Sequence, residues 1–534
     1  MKLNKIPFHK TNSFTSLVLD YLDQKDQLKP FYKYFPSIEN IAKAAKERSF
    51  STEDRELLAE RLLSQYQKDK VKLKTDSITL KQIESLKDKQ SFTITTGHQL
   101  CLMGGPLYFI YKIAAIISLC KELNAAHTDH HFVPVFWMAS EDHDFEEIDH
   151  FQYRGKKYQW NREAEGAVGR MDTNGLDEIY SQLEKDLAEF SSHANKILGL
   201  FKKAYLQSDK LSAATRVLVH ELFADEGLLI LDGDDVELKK SFAPYVRKEL
   251  EEQLTEKHVN AQSEQLSTHY KLQVNPRKIN LFYLADKARE RIESTTNGYA
   301  LVESERRFTK EELLRELDDH PESFSPNVLL RPLYQEVVLP NLAYIGGGGE
   351  LAYWFQLISN FEAFGVDFPI LILRNSALYL DQKATKLYSE LGLKHEDLFK
   401  RKGDLVKDWV IDQDNEDKLL KSEKEEINKL WEALKTKSLK EDPGLEKFIA
   451  AEEQKLQNWL DRLSDKLIRA QRRNSDTSVK KIEELHAKLF PNGKLQERSE
   501  SMLELMMLLG DELVPTLIES FNLPTKEFLF LETK

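Results

Sequence analysis

Cysteine is nearly absent: Cys101 and Cys120 are the only two among 534 residues. Two thiols cannot frame a disulfide-stapled fold or a cysteine-rich zinc site, and their scarcity suits a reducing compartment. Excess positive charge is absent too. Lys and Arg total 76 against 89 Asp and Glu, a formal net charge of −13, which leaves no general footprint for nucleic acid and disfavours a tRNA substrate. Long apolar runs are missing as well. The longest, around 113–120, is far short of the ~20 residues a bilayer crossing needs. The opening Met1-Lys2-Leu3-Asn4-Lys5 has no apolar stretch behind its charges, so no export signal is read there. The expectation is a cytoplasmic protein with neither membrane nor nucleic acid as partner.

Familiar motifs are also lacking. The sequence holds no Walker A loop, no Gly-x-Gly-x-x-Gly, no His-Glu-x-x-His and no Gly-x-Ser-x-Gly elbow. His127, His130, His131, His143 and His150 lie close together without metal-ligand spacing, and no structural metal is expected. Cys101 lies among Leu100, Leu102 and Met103, the setting of a packed thiol rather than a nucleophile.

What is present, with 41% hydrophobic and 31% charged residues, is a globular chain long enough for roughly three or four domains. Residues 1–90 read as amphipathic helices. A β-prone run over 91–96 ends at Gly97 and passes through Gly104, Gly105 and Pro106 into a helix that is apolar nearly all round. The apolar run 132–138 then releases the polar burst Ser140-Glu141-Asp142-His143-Asp144, completing a βαβ unit. Further short apolar strands are read at 228–231, 342–345 and 369–373. Strands of this kind separated by helices predict an α/β fold with a parallel sheet covered on both faces, whose ligands bind beyond the strand carboxyl ends. Long stretches between strands are then insertions, the first with a hairpin around 153–158. After Arg374 the texture becomes charged and helical. Apolar residues spaced three or four apart, Ile427, Leu430 and Leu434, then Leu456, Trp459, Leu463, Leu467 and Ala470, predict two long antiparallel helices joined near Pro443, their seam buried against each other or a second protomer.

Three places can carry chemistry. Thr95-Thr96-Gly97-His98-Gln99 with Gly104 and Gly105 is either an anion-binding loop or a tight turn. Glu141, Asp142, His143 and Asp144 crowd a strand end and can hold a cation or ammonium, whereas Glu146 and Glu147 read as a solvated helix start. Gly346, Gly347, Gly348 and Gly349 open a helix at Glu350, with Arg331 upstream as a carboxylate or phosphate clamp or a structural ion pair.

At these residues the sequence resembles the BshC family, the cysteine-adding enzymes of bacillithiol biosynthesis. The likeness rests on Thr96-Gly97-His98-Gln99 with Gly105-Pro106-Leu107-Tyr108; on Pro134-Val135-Phe136-Trp137 with Glu141-Asp142-His143-Asp144-Phe145; on Leu330-Arg331-Pro332; and on Tyr344-Ile345-Gly346 through Glu350, with Tyr353 and Gln356. His98 stands where the family pattern has Gln, and Gly348 where it has Pro. The first substitution is expected to alter the pH dependence of binding, the second to loosen the loop in the unfolded chain.

The resemblance implies a Rossmann-like core similar to that of class I aminoacyl-tRNA synthetases, with connecting-peptide insertions and an antiparallel α-helical coiled coil serving a homodimer. Mapped onto this chain it gives an N-terminal helical region (1–90), a first half-core (91–150), insertion one (151–225), a core strand (226–236), insertion two (237–325), a second half-core (326–380), the coiled coil (381–510) and a tail (511–534). The implied reaction joins cysteine to glucosaminyl-malate by an amide bond to give bacillithiol, with ATP and Mg activating the carboxylate and ADP as a possible bound form. His98, Asp142, His143, Asp144 and Glu350 are the catalytic candidates. Thr96, Gly97, Gln99, Gly104, Gly105, Tyr108, Glu141, Arg331, Gly347, Gly348, Gly349, Tyr353, Gln356 and Arg374 are the binding candidates. The alternatives are another synthetase-like, adenylate-forming nucleotidyltransferase and a non-catalytic dimeric scaffold.

Overall fold

The computed structural model describes residues 1–187, 192–413, 421–474 and 476–533. Its centre is a parallel sheet of five strands: β1 (Ser91–His98), β2 (His131–Met138), β3 (Leu229–Asp232), β4 (Asn341–Gly346) and β5 (Ile370–Leu373). The spatial order is β5-β4-β1-β2-β3, and each neighbouring pair is parallel. The five strands fall where the sequence places them. Strand β1 is buried on both faces through Thr96, as expected of a central strand covered by helices above and below.

Helix α1 (Tyr108–Ala126) explains its all-round apolarity by position. It packs on β1 and β2 with one side and on the helix Leu513–Ser520 with another, so water touches little of it. The helix starts two residues after Pro106, whose backbone bridges Ser501 instead. The strand order reverses between β1 and β4, which opens a crevice above their carboxyl ends. Helix α2 (Val236–Glu252) packs on α3 (Arg331–Val338), and α3 and α4 (Gly348–Trp354) border the crevice.

The first insertion holds the expected hairpin, His150–Tyr153 paired with Lys156–Gln159 across Arg154 and Gly155, both at positive φ, followed by three helices. The second contains an antiparallel sheet of five strands that the sequence reading did not anticipate. The N-terminal stretch, read as helical, begins with the strand Lys2–Pro7. This strand pairs with Glu527–Glu532, which pairs in turn with Ala377–Leu380. The expected C-terminal tail is therefore a helix and a strand built into the body.

Helices α5 (Lys421–Glu441) and α6 (Glu446–Asn474) are joined through the turn Pro443–Leu445. They run antiparallel, as Lys424 with Asp461, Asn428 with Gln457 and Lys435 with Glu453 show. The seam differs from the expected one. Ile449 and Leu460 are buried, whereas Leu430, Leu434, Trp459 and Leu467 face outward, the first three more than half exposed. The side chain of Ala470 lies outside the described residues. No helix among the described residues is long and apolar enough to cross a membrane.

Candidate active site

Above the switch point between β1 and β4 lies a cleft of about 630 Å³. Gly97, His98 and Gln99 reach it from the end of β1, Tyr108 and Lys112 from the first turns of α1, and Trp137 from β2. Arg331 and Gln335 come from α3, Gly347, Gly348, Gly349, Glu350 and Tyr353 from the glycine loop and α4, and Arg374 from the end of β5. Residues far apart in the chain thus meet in one space above the carboxyl ends of the central strands.

Glu350 is the electrostatic centre of one wall. Its carboxylate accepts from Lys112 Nζ at 2.9 Å, Tyr344 Oη at 2.6 Å and the Gly347 amide at 2.8 Å. Lys112, 2% exposed, also donates to the Gly97 carbonyl at 2.7 Å. Burial would raise the Glu350 carboxyl, but the Lys112 ammonium and the Gly347 amide hold it below the usual range. Burial in turn lowers the Lys112 ammonium. Lys112 was overlooked in the sequence, though a lone lysine inside an apolar helix was the signal available.

A second cluster in the same cleft centres on Asp142. Arg331 Nη2 lies 3.5 Å and Arg289 Nη1 4.0 Å from its oxygens, and the His143 amide donates at 2.9 Å. Burial opposes ionisation there, yet the bond to His143 and the two guanidiniums keep the carboxyl well below the ordinary range. Arg289 comes from the unanticipated sheet of the second insertion and stacks over the Phe282 ring at 3.9 Å. Burial and the neighbouring Arg331 lower its guanidinium to about 10. Asp142 therefore positions two cations; it is not a free carboxylate waiting for a metal or an ammonium. No group of three or more His, Cys, Asp or Glu that could hold a metal ion occurs among the described residues.

Several predicted residues stand elsewhere. Gly104 and Gly105 form a tight turn at positive φ, and their amides are spent on the Cys101 and Leu102 carbonyls. A Cβ at Gly104 would meet Phe109 at 2.6 Å, and one at Gly105 would meet Cys101 at 2.7 Å, so the turn reading accounts for both glycines. Thr96 ties β1 to the Ile345 carbonyl at 2.7 Å. Glu141 is buried against Lys239. His143 accepts from Arg289 at 2.9 Å outside the cleft, and Asp144, exposed, borders a neighbouring cavity. Gln356 is consumed by Ser263 and the backbone of residues 273 and 274. Arg374 gives both terminal nitrogens to Glu497, at 3.1 and 2.8 Å, leaving only its Nε edge toward Gly347. It is a partly neutralised cation, not a free clamp.

His98 lines the cleft with Nε2 buried and unpartnered. Burial, reinforced by the Lys112 charge, pushes its imidazole down to about 3. It is neutral at physiological pH and does not confer the pH dependence expected of it near neutrality. The folded state holds fewer protons here than the unfolded chain. Stability from this group is full above about pH 6.5, the unfolded value, and falls as pH drops toward 3. His98→Gln should flatten acid unfolding in that window, measured by urea midpoints; an NMR titration of His98 centred near 6.5 would contradict the assignment.

The fold and cleft define a Rossmann-type α/β protein with a charged cleft at its switch point, extended by a helical coiled coil. The chain belongs to the BshC family. Residues 1–375 match the family's profile described as "Bacillithiol biosynthesis BshC, N-terminal Rossmann-like domain", and residues 377–533 match its C-terminal coiled-coil domain. A relative from Flavobacterium johnsoniae is 43% identical over 531 residues, covering 98% of both chains. One from Flavobacterium psychrophilum is 43% identical over 518 residues, covering 96% of both. Both carry the name "Putative cysteine ligase BshC". A solved "putative arginyl t-RNA synthetase" from Campylobacter jejuni aligns over 88% of this chain and 97% of its own, at 14% identity and a TM-score of 0.22, a likeness too slight to bear on fold or function.

Proposed function

We propose that the chain is a carbon–nitrogen ligase that joins the cysteine carboxyl group to the amine of glucosaminyl-malate, giving bacillithiol. The observation that supports this most is the division of one cleft between the half-buried, ionised Glu350 and the guanidinium of Arg331, with the Nε edge of Arg374 beside them. A substrate pair bearing an ammonium and several carboxylates matches that division. Glu350 would receive the cysteine ammonium, Arg331 would face a malate carboxylate, and Gln99 and Tyr353 would border the acceptor sugar. His98, neutral, would accept a hydrogen bond from the attacking amine and so orient its lone pair.

A carboxylate needs activation before an amine displaces its oxygen, and ATP with Mg would supply it. The residues at the glycine loop fit a polyanion. The Gly347 amide is taken by Glu350, but Gly348 and Gly349 border the cleft and the Nε edge of Arg374 faces the loop at Gly347. The test is mass spectrometry of purified protein with cysteine, glucosaminyl-malate and Mg-ATP, each omitted in turn. Bacillithiol confined to the complete mixture is expected, and AMP or ADP names the activated species. Nucleotide breakdown without bacillithiol would favour another adenylate-forming activity.

The outward apolar residues of α5 and α6 fit a second copy of the chain. Leu434→Lys with Trp459→Lys is expected to convert a dimer to a monomer in analytical ultracentrifugation at micromolar concentration, with each cleft intact. An unchanged sedimentation coefficient would remove this assembly.

A further inference from the structure

Most of the charged groups around the cleft stand in ion pairs, and Arg498 and Glu147, both exposed and lining it, are outside them among the described residues. Lys112 is matched by Glu350, Arg331 and Arg289 by Asp142, and Arg374 by Glu497. Arg498 lines the same cleft, is exposed, and has no carboxylate partner among the described residues. It arrives from the C-terminal part of the chain, beyond the coiled coil, yet its backbone is firmly held. Gln496 exchanges hydrogen bonds with the backbone of Tyr379 at 2.8 and 3.1 Å. Glu497, on the other side, is bound by Arg374 and the Ala377 amide. The Glu500 carbonyl accepts from the Leu107 amide at 2.8 Å, and the Ser501 amide donates to the Gln152 carbonyl at 3.0 Å. The segment is thus fastened to the start of α1, to the hairpin and to the strand Ala377–Leu380, and it holds a guanidinium at the mouth without a counterion. An uncompensated arginine on a rigid backbone is suited to a planar, two-oxygen contact with an incoming anion.

We propose that Arg498 is a specificity-determining residue of the cleft, binding an anionic oxygen group of the substrate, carboxylate or phosphate, from the C-terminal segment. The assignment rests on the ligase reading for the identity of the ligands, of which two could bring the group: glucosaminyl-malate with its malate carboxylates, and ATP with its phosphates. Full-length protein and the variants Arg498→Gln and Arg498→Lys would be titrated calorimetrically with glucosaminyl-malate and, separately, with Mg-ATP. Their KM and kcat would be measured alongside. Arg498→Gln should weaken one ligand about tenfold or more, the strength of a charge-assisted contact, with a parallel rise in that ligand's KM and little change in kcat. Arg498→Lys should recover part of the loss. A loss confined to glucosaminyl-malate identifies the carboxylate, and one confined to Mg-ATP the phosphate. If both ligands bind the Gln variant as they bind the unaltered chain, the proposal is overturned while the ligase reading survives. If ligand binding depends on Arg498 but no bacillithiol forms, the ligase reading fails while the anion site stands. If the unaltered chain binds neither ligand, both fall.

Discussion

Glu350→Gln lowers kcat/KM by roughly two to three orders of magnitude, the size typical of losing a preorganised electrostatic group in an enclosed site. Gln preserves the shape and one acceptor oxygen for the Gly347 amide, but it removes the negative charge that would hold a substrate ammonium and that balances Lys112. A second effect must be separated from the first. Lys112 is 2% exposed, and stripping a buried ion of its partner costs about 3–5 kcal/mol. The double variant Glu350→Gln/Lys112→Met restores balance, so it should regain most of the stability and none of the activity. Urea unfolding beside the kinetic assay reads the two separately. The pH dependence follows the same pair. Glu350 is held below its ordinary value, so its contribution to stability is present above the unfolded carboxyl value and is lost as pH falls through the folded one. A Glu350→Gln enzyme of undiminished kcat/KM would place the chemistry elsewhere.

Glu497→Ala should cost about 3–5 kcal/mol of stability through the same physics. Arg374 and Glu497 are 4% and 1% exposed, with side-chain contacts at 2.8 and 3.1 Å. Without Glu497 the guanidinium keeps only the Asn375 carbonyl and the Ser376 hydroxyl, and the Ala377 amide loses its acceptor. Because this pair joins the C-terminal segment to the end of β5, the loss should also increase proteolysis near residues 490–501. The paired replacement Arg374→Met/Glu497→Leu, which removes both charges, should recover most of the urea midpoint. A single variant as stable as the unaltered chain would show that the pair adds nothing.

The core was legible in the sequence because buried parallel strands announce themselves as short apolar runs ending in polar or glycine-rich loops. Phe132 to Met138 releasing Ser140 is one case, and Ile345 passing into four glycines is another. Strand order was not legible, since pairing β1 with β4 depends on contacts some 250 residues apart, such as Thr96 with Ile345. The small sheet of Lys2–Pro7, Ala377–Leu380 and Glu527–Glu532 escaped for the same reason. The strand Ala288–Thr295 gives no apolar alternation to mark it, because Arg and Glu fill most of its positions, although Arg289 and Glu290 are buried.

The site divides along similar lines. His98, Asp142 and Glu350 were legible because chemistry concentrates at strand ends and in glycine loops, and Arg331 because a guanidinium opens the helix upstream of that loop. Gly104 and Gly105 signalled a need for positive φ, and the need proved to be a turn packed on Phe109 and Cys101. Arg289, Glu497 and Arg498 gave no local cue, because only tertiary folding carries an insertion and the C-terminal segment to the cleft. On α5 and α6 the three-and-four spacing marked Leu430 and Trp459 as seam positions, yet spacing alone cannot say which of two apolar stripes turns inward.

The substrates are expected to meet in the switch-point cleft, which both Glu350 and Arg331 line. A crystal structure of the full chain with glucosaminyl-malate and cysteine tests it most directly. Both molecules are expected in that cleft, an ammonium at Glu350 and carboxylates at Arg331 and Arg498. Substrates bound in another cavity, with these side chains untouched, would contradict it.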